Sequence, residues 1–450
     1  RHTMPAVDLT SLSAVDLAAA IRDGQQSCED AVGAYLARID QIDGEIEAWA
    51  FIDPDNARAQ AKQADAARRA GRPIGPLHGV PVGVKDIIDT RGMSTENGTA
   101  MDAGRKPSKD AAVVARLRAA GAIVLGKTVT TELAYYAPNK TKNPHDPERT
   151  PGGSSSGSAA AVASGMAPVA IGTQTNGSVI RPASFCGVVG YKPTWGLIPR
   201  TGVLAQSFHL DTIGTFGRSV ADTALLAEAL IGHDDGDSAT APIAHQGLFA
   251  ATQSKPPLAP LFAFVKTPVW DQAEDSTKEA FAELANHLGE AVDPIDLPEL
   301  FAQGHVLQRR LMVAGFAHNF SHYELRGRDQ LSRHMQDAID EGRDVRAHDY
   351  LAAVDWIDVL NAGLDEIFKR YDAILTPAAP GAAPRGLEST GNPAFCTLWT
   401  LCGTPAITLP LLNDEHGLPV GVQLVGRRGD DARLMRTAAW LSKGIEAAGS

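Results

Sequence analysis

The 450-residue sequence lacks the features that mark metal-binding, disulfide-bonded or membrane-spanning proteins. Its cysteines are far apart and form neither a CxxC pair nor a pattern of zinc ligands; they are Cys28, Cys186, Cys396 and Cys402. No run approaches the ~18 consecutive apolar residues that a membrane-spanning helix needs, and no basic segment followed by an apolar run marks a signal peptide. We therefore expect a cytoplasmic protein with reduced thiols, no metal ion and no membrane partner.

Positive charge is also in short supply, because 53 acidic residues outnumber 41 basic ones and give a formal net charge of -12. Such a balance disfavours nucleic acid or an anionic membrane as the main partner. The hydrophobic fraction of 44% and the charged fraction of 21% are those of a globular protein that can build a large core. The partner we expect is a small molecule, bound by a monomer or a homodimer.

The composition and the hydrophobic pattern of the sequence change along the chain. We interpret residues 8–450 as one large domain. Residues 1–7 are interpreted as a tail that contains an expression remnant before the first methionine. Residues 8–71 carry two capping boxes and predict a helical arm. Residues 75–222 are rich in glycine, with short apolar strands alternating with helices, and we expect them to form the core. Residues 232–372 are more polar and predict a divergent, mostly helical insertion.

The alternation of strands and helices predicts an α/β fold. Residues 80–84 and 122–125 are short apolar runs of the kind that form strands buried on both faces. The architecture we expect is a large mixed, mostly parallel twisted sheet sandwiched by helices.

One motif that points to nucleotide binding is interpreted as coincidental. Residues 121–128 match the phosphate-loop pattern G-x-x-x-x-G-K-T letter for letter. A phosphate cradle needs a flexible loop after a strand, with backbone N–H groups free to converge. The four middle residues, AIVL, are instead apolar and predict a strand whose amides pair within a sheet.

A serine-rich segment is the first candidate for catalysis. Residues 151–158, PGGSSSGS, place several hydroxyl groups before an alanine run that favours a helix. Residues 153–157 also spell G-x-S-x-G, which would make Ser155 the nucleophile of an α/β-hydrolase. That alternative needs an acidic residue and a late histidine, for which His416, in a polar stretch typical of a turn, is the candidate.

A second serine follows a predicted strand. Residues 172–182, GTQTNGSVIRP, predict a strand that enters a glycine-containing turn ending at Ser178, and the amides of such a turn can form an oxyanion hole. Neither serine segment contains a histidine, so another base must activate the serine. Lys85 ends an apolar strand and is a candidate base if it is neutral, whereas a lysine that reaches solvent or pairs with Asp86 would be structural. Lowering its pKa from ~10.4 to ~7 requires about 4–5 kcal/mol from burial and hydrogen bonding.

Six segments, taken in this order, resemble the amidase signature enzymes. The resemblance covers most of the chain, roughly residues 9–447, and is densest over residues 75–222. Each segment alone is a weak signal, whereas their combination is specific for the family. The segments are residues 76–86 (PLHGVPVGVKD), 126–132 (GKTVTTE), 151–155 (PGGSS), 172–187 (GTQTNGSVIRPASFCG), 190–194 (GYKPT) and 417–426 (GLPVGVQLVG).

The resemblance implies a Ser–cis-Ser–Lys triad, in which Ser178 is the nucleophile, Ser154 the bridging serine and Lys85 the base. It also implies a cis peptide bond between Gly153 and Ser154, with Ser155 helping to align the lysine and the bridging serine. Such enzymes form an acyl-enzyme that water then hydrolyses, and no metal or cofactor is implied. The implied oxyanion hole consists of the backbone amides of Thr175, Asn176, Gly177 and Ser178.

Two departures from the family pattern lie beside the nucleophile. Gln174 stands where many members carry an aspartate, and Arg181 lies three residues after Ser178 rather than two. This variant resembles a malonamidase-like branch, in which the arginine can contact an acidic substrate. The alternative is that Arg181 braces the loop against backbone carbonyls, and the sequence leaves both interpretations open.

Aromatic residues in predicted loops are candidates for the substrate pocket, and they favour aryl amides or urethanes. Amides, anilides, carbamates and esters all present a carbonyl with a leaving group, so each fits this chemistry. Two other functions stay open: a subunit of a transamidation complex that binds tRNA, and a catalytically inactive amidase-like binding module. The acidic charge and the two departures count against the first, and the intact triad counts against the second. The candidate pocket residues are Tyr135, Tyr136, Phe208, Phe395 and Trp399.

Overall fold

An eleven-stranded sheet is the framework of the protein. The computed structural model describes residues 8–449, so the predicted tail of residues 1–7 lies outside the described residues. In chain order the strands are β1 (Trp49–Ile52), β2 (Pro81–Lys85), β3 (Ile123–Thr128), β4 (Val169–Gln174), β5 (Val189–Lys192), β6 (Thr212–Gly217), β7 (Phe262–Val265), β8 (Val292–Ile295), β9 (Ala373–Pro377), β10 (Ala406–Asn413) and β11 (Pro419–Val425). Across the sheet they lie in the order β1-β3-β2-β4-β6-β5-β10-β11-β9-β7-β8. Residues 121–128, the phosphate-loop match, thus contain all of β3 and form no phosphate cradle.

The helices pack around this sheet. Short 3-10 turns link several of them. In chain order the α-helices are α1 (Ala14–Arg22), α2 (Cys28–Ile46), α3 (Pro54–Arg69), α4 (Ala112–Ala119), α5 (Ser156–Ala163), α6 (Ile180–Cys186), α7 (Val220–Leu230), α8 (Leu248–Gln253), α9 (Asp275–Leu288), α10 (Gly304–Asn319), α11 (Ser321–Gly327), α12 (Arg333–Arg343), α13 (Ala347–Phe368), α14 (Ala394–Cys402) and α15 (Asp431–Gly449).

Polar caps begin the helices of the N-terminal arm where the sequence predicts them. The Ser13 hydroxyl accepts a hydrogen bond from the Asp16 amide at 3.0 Å, and the Ser27 hydroxyl accepts one from the Asp30 amide at 2.9 Å. Pro54 occupies the first turn of α3, where its missing N–H leaves no intrahelical bond unmade. These helix starts are local, so a short stretch of sequence is sufficient to predict them.

The sheet is mixed, as expected, but its pairings are not mostly parallel. Strand β2 pairs in parallel with β3 and β4, and β7 pairs in parallel with β8 and β9. The other six pairings within residues 8–449 are antiparallel, including the hairpin of β10 and β11. The expectation of a mostly parallel sheet is therefore wrong. It rested on continuous apolar strands, and these indicate burial on both faces whichever way the neighbouring strand runs.

Successive side chains of the central strands pack against helices on opposite faces of the sheet. Ile123 and Leu125 of β3 pack in the cluster that contains α2, α3 and α5, whereas Val124 packs in the cluster that contains α4 and α7. This period of two is that of a strand covered on both faces. The expected sandwich of helices around an α/β sheet is confirmed, and all four cysteines are free and buried within it.

The middle segment of the chain joins the same sheet. Residues 232–372 supply β7 and β8 at one edge together with helices α8 to α13. The division into arm, core and insertion stays a prediction. Among residues 8–449, no helix combines the length and apolarity that crossing a bilayer requires, and no group of metal-ligating side chains could hold an ion.

We predict that Gly157→Ala destabilises the protein, because this glycine in the first turn of α5 lies against two backbone segments. A Cβ here would lie 2.2 Å from the Ala48 carbonyl oxygen and 2.3 Å from the Val129 nitrogen. Backbone cannot yield as a flexible side chain does, so we expect the free energy of unfolding to fall by about 1–3 kcal/mol. Gly33→Ala in α2 is the matched control, since its added Cβ meets no described atom within 4 Å, and it should stabilise by about 0.4–1 kcal/mol. Urea unfolding measures both, and equal effects would contradict the prediction.

Candidate active site

The candidate site lies at the carboxyl ends of two adjacent parallel strands. Lys85 is the last residue of β2, and Thr173 lies near the end of β4. Because Val84 pairs with Ile171 in parallel register, the strands deliver both side chains to the same edge of the sheet. Ligand sites of α/β sheets commonly lie at this edge.

Three hydroxyl groups enclose the amine of Lys85. Its Nζ lies 2.7 Å from Ser154 Oγ, 2.9 Å from Ser155 Oγ and 2.8 Å from Thr173 Oγ1. The lysine and Ser155 have no exposed surface, and Ser154 is 2% exposed. The structure therefore brings together three of the residues that the sequence singled out, and it adds Thr173.

Burial holds the pKa of Lys85 well below its ordinary value of 10.5, and the negative charge of Asp211 opposes that shift. The structural alternatives for this lysine do not apply, because it does not reach solvent and because Asp86 pairs with Lys127, with Nζ and Oδ1 3.3 Å apart. Removing an ammonium group from water disfavours the charged form. The site therefore favours the neutral amine.

The neighbours of this amine fix where a proton can move. A neutral amine has two N–H donors and one lone pair. The Ser155 hydroxyl lies 3.1 Å from both the carbonyl oxygen and the amide nitrogen of Thr173, so it donates its proton to that carbonyl. Ser155 can thus only accept from Lys85, which leaves the lone pair for a hydroxyl proton of Ser154 or Thr173. This arrangement disfavours Ser155, the G-x-S-x-G serine, as a nucleophile.

The backbone of the serine segment has the geometry that the resemblance implies. The peptide bond between Gly153 and Ser154 is cis, and the Gly153 carbonyl accepts a hydrogen bond from Arg181 Nη2 at 2.8 Å. Gly172 in β4 permits the close approach of the segment, since a Cβ there would lie 2.5 Å from Ser155 Oγ. A glycine in the strand is therefore part of what places the two serines against Lys85.

The loop of residues 175–178 has its carbonyl groups occupied and its amide groups free. The C=O and N–H groups of a trans peptide point in opposite directions, so a carbonyl fixed on one side turns the following amide to the other. Within residues 8–449, the last three amides of the loop donate no hydrogen bond. Ser178 itself is half-buried. The three carbonyls and their donors are Thr175 with Gln308 Nε2 (3.1 Å), Asn176 with Thr400 Oγ1 (2.5 Å) and Gly177 with the Arg181 amide (2.9 Å).

Gln174 braces the same loop. Its Oε1 accepts hydrogen bonds from the amides of Val179 and Ile180, both at 2.9 Å, and its Nε2 donates to Thr400 Oγ1 at 2.9 Å. An aspartate, which many family members carry here, could accept from amides but could not donate to a threonine. The departure from the family pattern therefore gives an uncharged link between the loop and α14.

Arg181 is a buried cation beside the loop of residues 175–178. It is 2% exposed, its Nε donates to the Thr390 carbonyl at 2.9 Å, and its Nη2 donates to Thr390 Oγ1 at 3.1 Å and to the Gly153 carbonyl. Within residues 8–449, its Nη1 donates no hydrogen bond and no carboxylate pairs with it. Arg181 lines a crevice together with Ser178. The bracing role left open by the sequence is thus observed. Nη1 of the guanidinium makes no hydrogen bond to the described residues.

Two of the predicted pocket residues border Ser178. Tyr135 and Tyr136 line the same crevice and stack with their ring centroids 4.3 Å apart, and Tyr135 meets Phe316 edge-on at 4.8 Å. The crevice is narrow, with a volume of about 10 Å³.

The other three predicted pocket residues lie elsewhere. Phe208 is 44% exposed and lines a separate, larger cavity. Phe395 and Trp399 are buried on α14, where Trp399 belongs to the largest apolar cluster, and their assignment to the pocket stays a prediction. Large aromatic side chains on a buried helix fill the core, and the sequence does not distinguish that role from a pocket wall.

Several residues that line or support the site belong to no recognisable sequence motif. Gln206 Oε1 lies 2.7 Å from Thr175 Oγ1, while its Nε2 donates to the carbonyls of Leu133 at 2.7 Å and Ala134 at 2.9 Å. Helix α10, from the divergent segment, adds Met312 and Phe316 to the crevice. Their spacing of four residues reveals a shared helix face, but an apolar face of this kind usually indicates core.

Comparison with known proteins identifies the class. Residues 30–435 match the model of the family described as Amidase. The chain is 34% identical to a glutamyl-tRNA(Gln) amidotransferase subunit of Moorella thermoacetica, and the match covers 96% of each chain.

Solved structures agree with that match. The peptide amidase of Stenotrophomonas maltophilia is similar at 30% identity and a TM-score of 0.84, with 97% of each chain covered. A 6-aminohexanoate cyclic dimer hydrolase is similar at 28% identity and a TM-score of 0.85, with 98% of each chain covered. The protein therefore belongs to the amidase signature family of hydrolases, and the resemblance read from the sequence is confirmed.

Lys85→Met provides a test of the lowered pKa. A lysine whose pKa is lowered by folding weakens stability most at low pH, where the unfolded chain binds a proton that the folded site resists, and this penalty disappears as the pH approaches 10.5. The stability of Lys85→Met relative to wild type should therefore decline as the pH rises, by up to about 1.4 kcal/mol per pH unit above the lowered pKa. Urea unfolding as a function of pH measures this difference. Lys62→Met, on the exposed side of α3, controls for the loss of a lysine, and a pH-independent difference at Lys85 would contradict the lowered pKa.

Proposed function

We propose that this protein is a serine hydrolase that cleaves an amide-like carbon–nitrogen bond through Ser178, Ser154 and Lys85. The observation that carries the proposal is the buried amine of Lys85, hydrogen-bonded to Ser154 Oγ at 2.7 Å next to the loop of unoccupied amides that ends at Ser178. Amides, anilides and carbamates are the proposed substrates, and esters fit the same chemistry.

The proposed reaction moves one proton through Ser154. Neutral Lys85 accepts the Ser154 proton as Ser154 accepts that of Ser178, and Ser178 Oγ attacks the carbonyl carbon. The resulting oxyanion accepts hydrogen bonds from the amides of the loop. The proton then returns through Ser154 to the leaving nitrogen, the C–N bond breaks, and an acyl-enzyme remains. Water attacks the acyl group with the same relay, and the acid is released.

The relay is incomplete without substrate. No hydrogen bond joins Ser178 Oγ to Ser154 Oγ in the part of the chain that the structure describes. Hydrogen bonds between catalytic groups are commonly long in the free enzyme and tighten in the substrate complex. We therefore assign the closing of the Ser178–Ser154 contact to substrate binding.

Arg181 supports a preference for an anionic acyl group. A buried guanidinium without a carboxylate partner carries an uncompensated charge, which is costly in a medium of low polarity. Its position in the Ser178 crevice, with Nη1 unused, would let a substrate carboxylate supply the missing charge. The bracing of Gly153 by Nη2 is compatible with that role, because the two interactions use different nitrogens.

A second candidate function follows from relatives at 32–34% identity, each of which is named as a subunit of glutamyl-tRNA(Gln) amidotransferase. In that case the chain would act with glutamyl-tRNA and within a larger assembly. The formal net charge of -12 opposes binding of a polyanion by this chain alone. Measured binding of glutamyl-tRNA, together with an absence of hydrolysis by the isolated chain, would favour this candidate.

A fluorophosphonate probe tests the identity of the nucleophile. We expect the adduct on Ser178, which is half-buried beside open amides, and not on Ser155, which is fully buried with its proton committed to a carbonyl. Ser178→Ala should abolish labelling and lower kcat for an anilide by at least about 10³-fold. Peptide mass spectrometry locates the adduct.

Ser155→Ala is the matched control for that experiment. It should weaken turnover by loosening the Lys85 site, yet it should still label on Ser178. An adduct on Ser155 would support the α/β-hydrolase alternative, whereas no adduct and no turnover would support a binding module.

Arg181→Lys separates substrate binding from loop bracing. A succinyl anilide and its uncharged butyryl analogue differ only in a terminal carboxylate. If Arg181 binds that carboxylate, the ratio of their kcat/KM values should fall about 10-fold or more, in line with the strength of a charged hydrogen bond. A purely structural brace would lower both values by the same factor and leave the ratio unchanged, which would contradict the assignment.

A further inference from the structure

The crevice at Ser178 is too small to hold both the acyl group and the leaving group of a substrate. Its volume of about 10 Å³ is at the lower limit for a single water. Tyr136, Met312 and Phe316 close its outer side. A substrate with a substantial leaving group therefore needs space that this crevice does not provide.

A second cavity with a volume of about 770 Å³ adjoins the crevice. We call it the chamber. Thr175 and Gln206 line both spaces, so these two side chains form the partition between them. The volume is within the range of pockets that enclose drug-sized ligands, roughly 300–1,000 Å³. Exposed Phe208 and Leu351 lie at its edge, where a ligand can enter.

The chamber is mostly apolar, with one carboxylate at its inner end. Apolar walls come from both the sheet region and the helical segment; they include Ile87, Val203, Leu204, Ile213, Ala314 and Val345. Asp211 lines the same space, where its Oδ1 accepts from Thr175 Oγ1 at 2.6 Å and its Oδ2 accepts from the Gln206 amide at 2.8 Å. Arg200 is already paired with Asp237, with Nε and Oδ2 2.9 Å apart. The chamber thus offers an apolar volume and an acceptor for N–H groups.

The inner end of the chamber also reaches the lysine site. Thr173 lines the chamber, and its Oγ1 lies 2.8 Å from Lys85 Nζ. In the proposed reaction Ser154, which is hydrogen-bonded to the same amine at 2.7 Å, returns the proton to the leaving nitrogen, so the leaving amine lies close to the lysine site. Apolar walls, a carboxylate acceptor and the proton source therefore meet at one end of the chamber.

We propose that the chamber binds the amine side of the substrate, and that this amine carries a bulky apolar group. This assignment rests on the proposed hydrolase function and adds the leaving-group class to it. Gln206 is the positioning residue of the partition, held by the carbonyls of Leu133 and Ala134. Helix α10 supports it from behind, since a Cβ on Gly315 would lie 2.4 Å from the Gln206 carbonyl oxygen.

Binding of the product amine tests the chamber without catalysis. We use 4-aminobiphenyl as the probe and isothermal titration calorimetry as the readout, with wild type and Ala314→Trp. Ala314 lines the chamber on α10, so a tryptophan there should fill the space and weaken binding at least 10-fold. Val306→Trp is the matched control, because Val306 lies on the same helix with 56% of its surface exposed, and it should bind as wild type does. Biphenyl-4-carboxylate should bind at least 10-fold more weakly than the amine, because Asp211 repels it.

Turnover supplies the second readout. The ratio of kcat/KM for a biphenyl-4-yl amide to that for the anilide of the same acid should fall at least 10-fold in Ala314→Trp and stay constant in Val306→Trp. The proposal is overturned if wild type does not bind 4-aminobiphenyl, or if Ala314→Trp binds it equally well. Failure of Ser178 to label would instead overturn the proposed hydrolase, since the binding measurement does not depend on the nucleophile.

Discussion

The site depends on one interaction, the enclosure of the Lys85 amine by the hydroxyls of Ser154, Ser155 and Thr173, with no carboxylate of residues 8–449 paired to it. Burial makes the neutral amine the favoured form. Parallel pairing of β2 with β4 and a glycine at position 172 permit that enclosure. An acidic partner in this position would raise the pKa of the lysine and hold it protonated, without a lone pair to accept a proton, so the hydroxyl shell matters chemically as well as sterically.

The loop of residues 175–178 is held in place by residues outside it. Donors on α10 and α14 hold two of its carbonyls, and the first turn of α6 holds the third, so the intervening amides face the other way. Gln174 adds an uncharged brace where the family commonly has an acid. In the proposed reaction these amides would act as preorganised donors that need not rearrange as negative charge develops on the substrate.

The sequence predicts those parts of the protein that depend on neighbouring residues. Capped helices such as α1 and α2, the strand inside the phosphate-loop match, and the segments around Lys85, Ser154 and Ser178 all depend on short runs of chain. Strand direction was not predictable, because an apolar strand has the same pattern in either orientation. Gln308 and Thr400 were not predictable either, since a polar residue on a helix has no local sign that it will meet a loop far away in the sequence.

The residues that surround Lys85 and those that hold the loop of residues 175–178 come from different parts of the sequence, and this has a consequence for protein synthesis. Within residues 8–449, the hydroxyls hydrogen-bonded to the Lys85 amine lie at positions 154, 155 and 173, whereas the side chains that hold the carbonyls of Thr175 and Asn176 lie at positions 308 and 400. A nascent chain synthesised only as far as residue 225 contains the lysine and its hydroxyls but lacks the side chains that orient the loop amides. The orientation of these amides therefore requires synthesis to reach position 400.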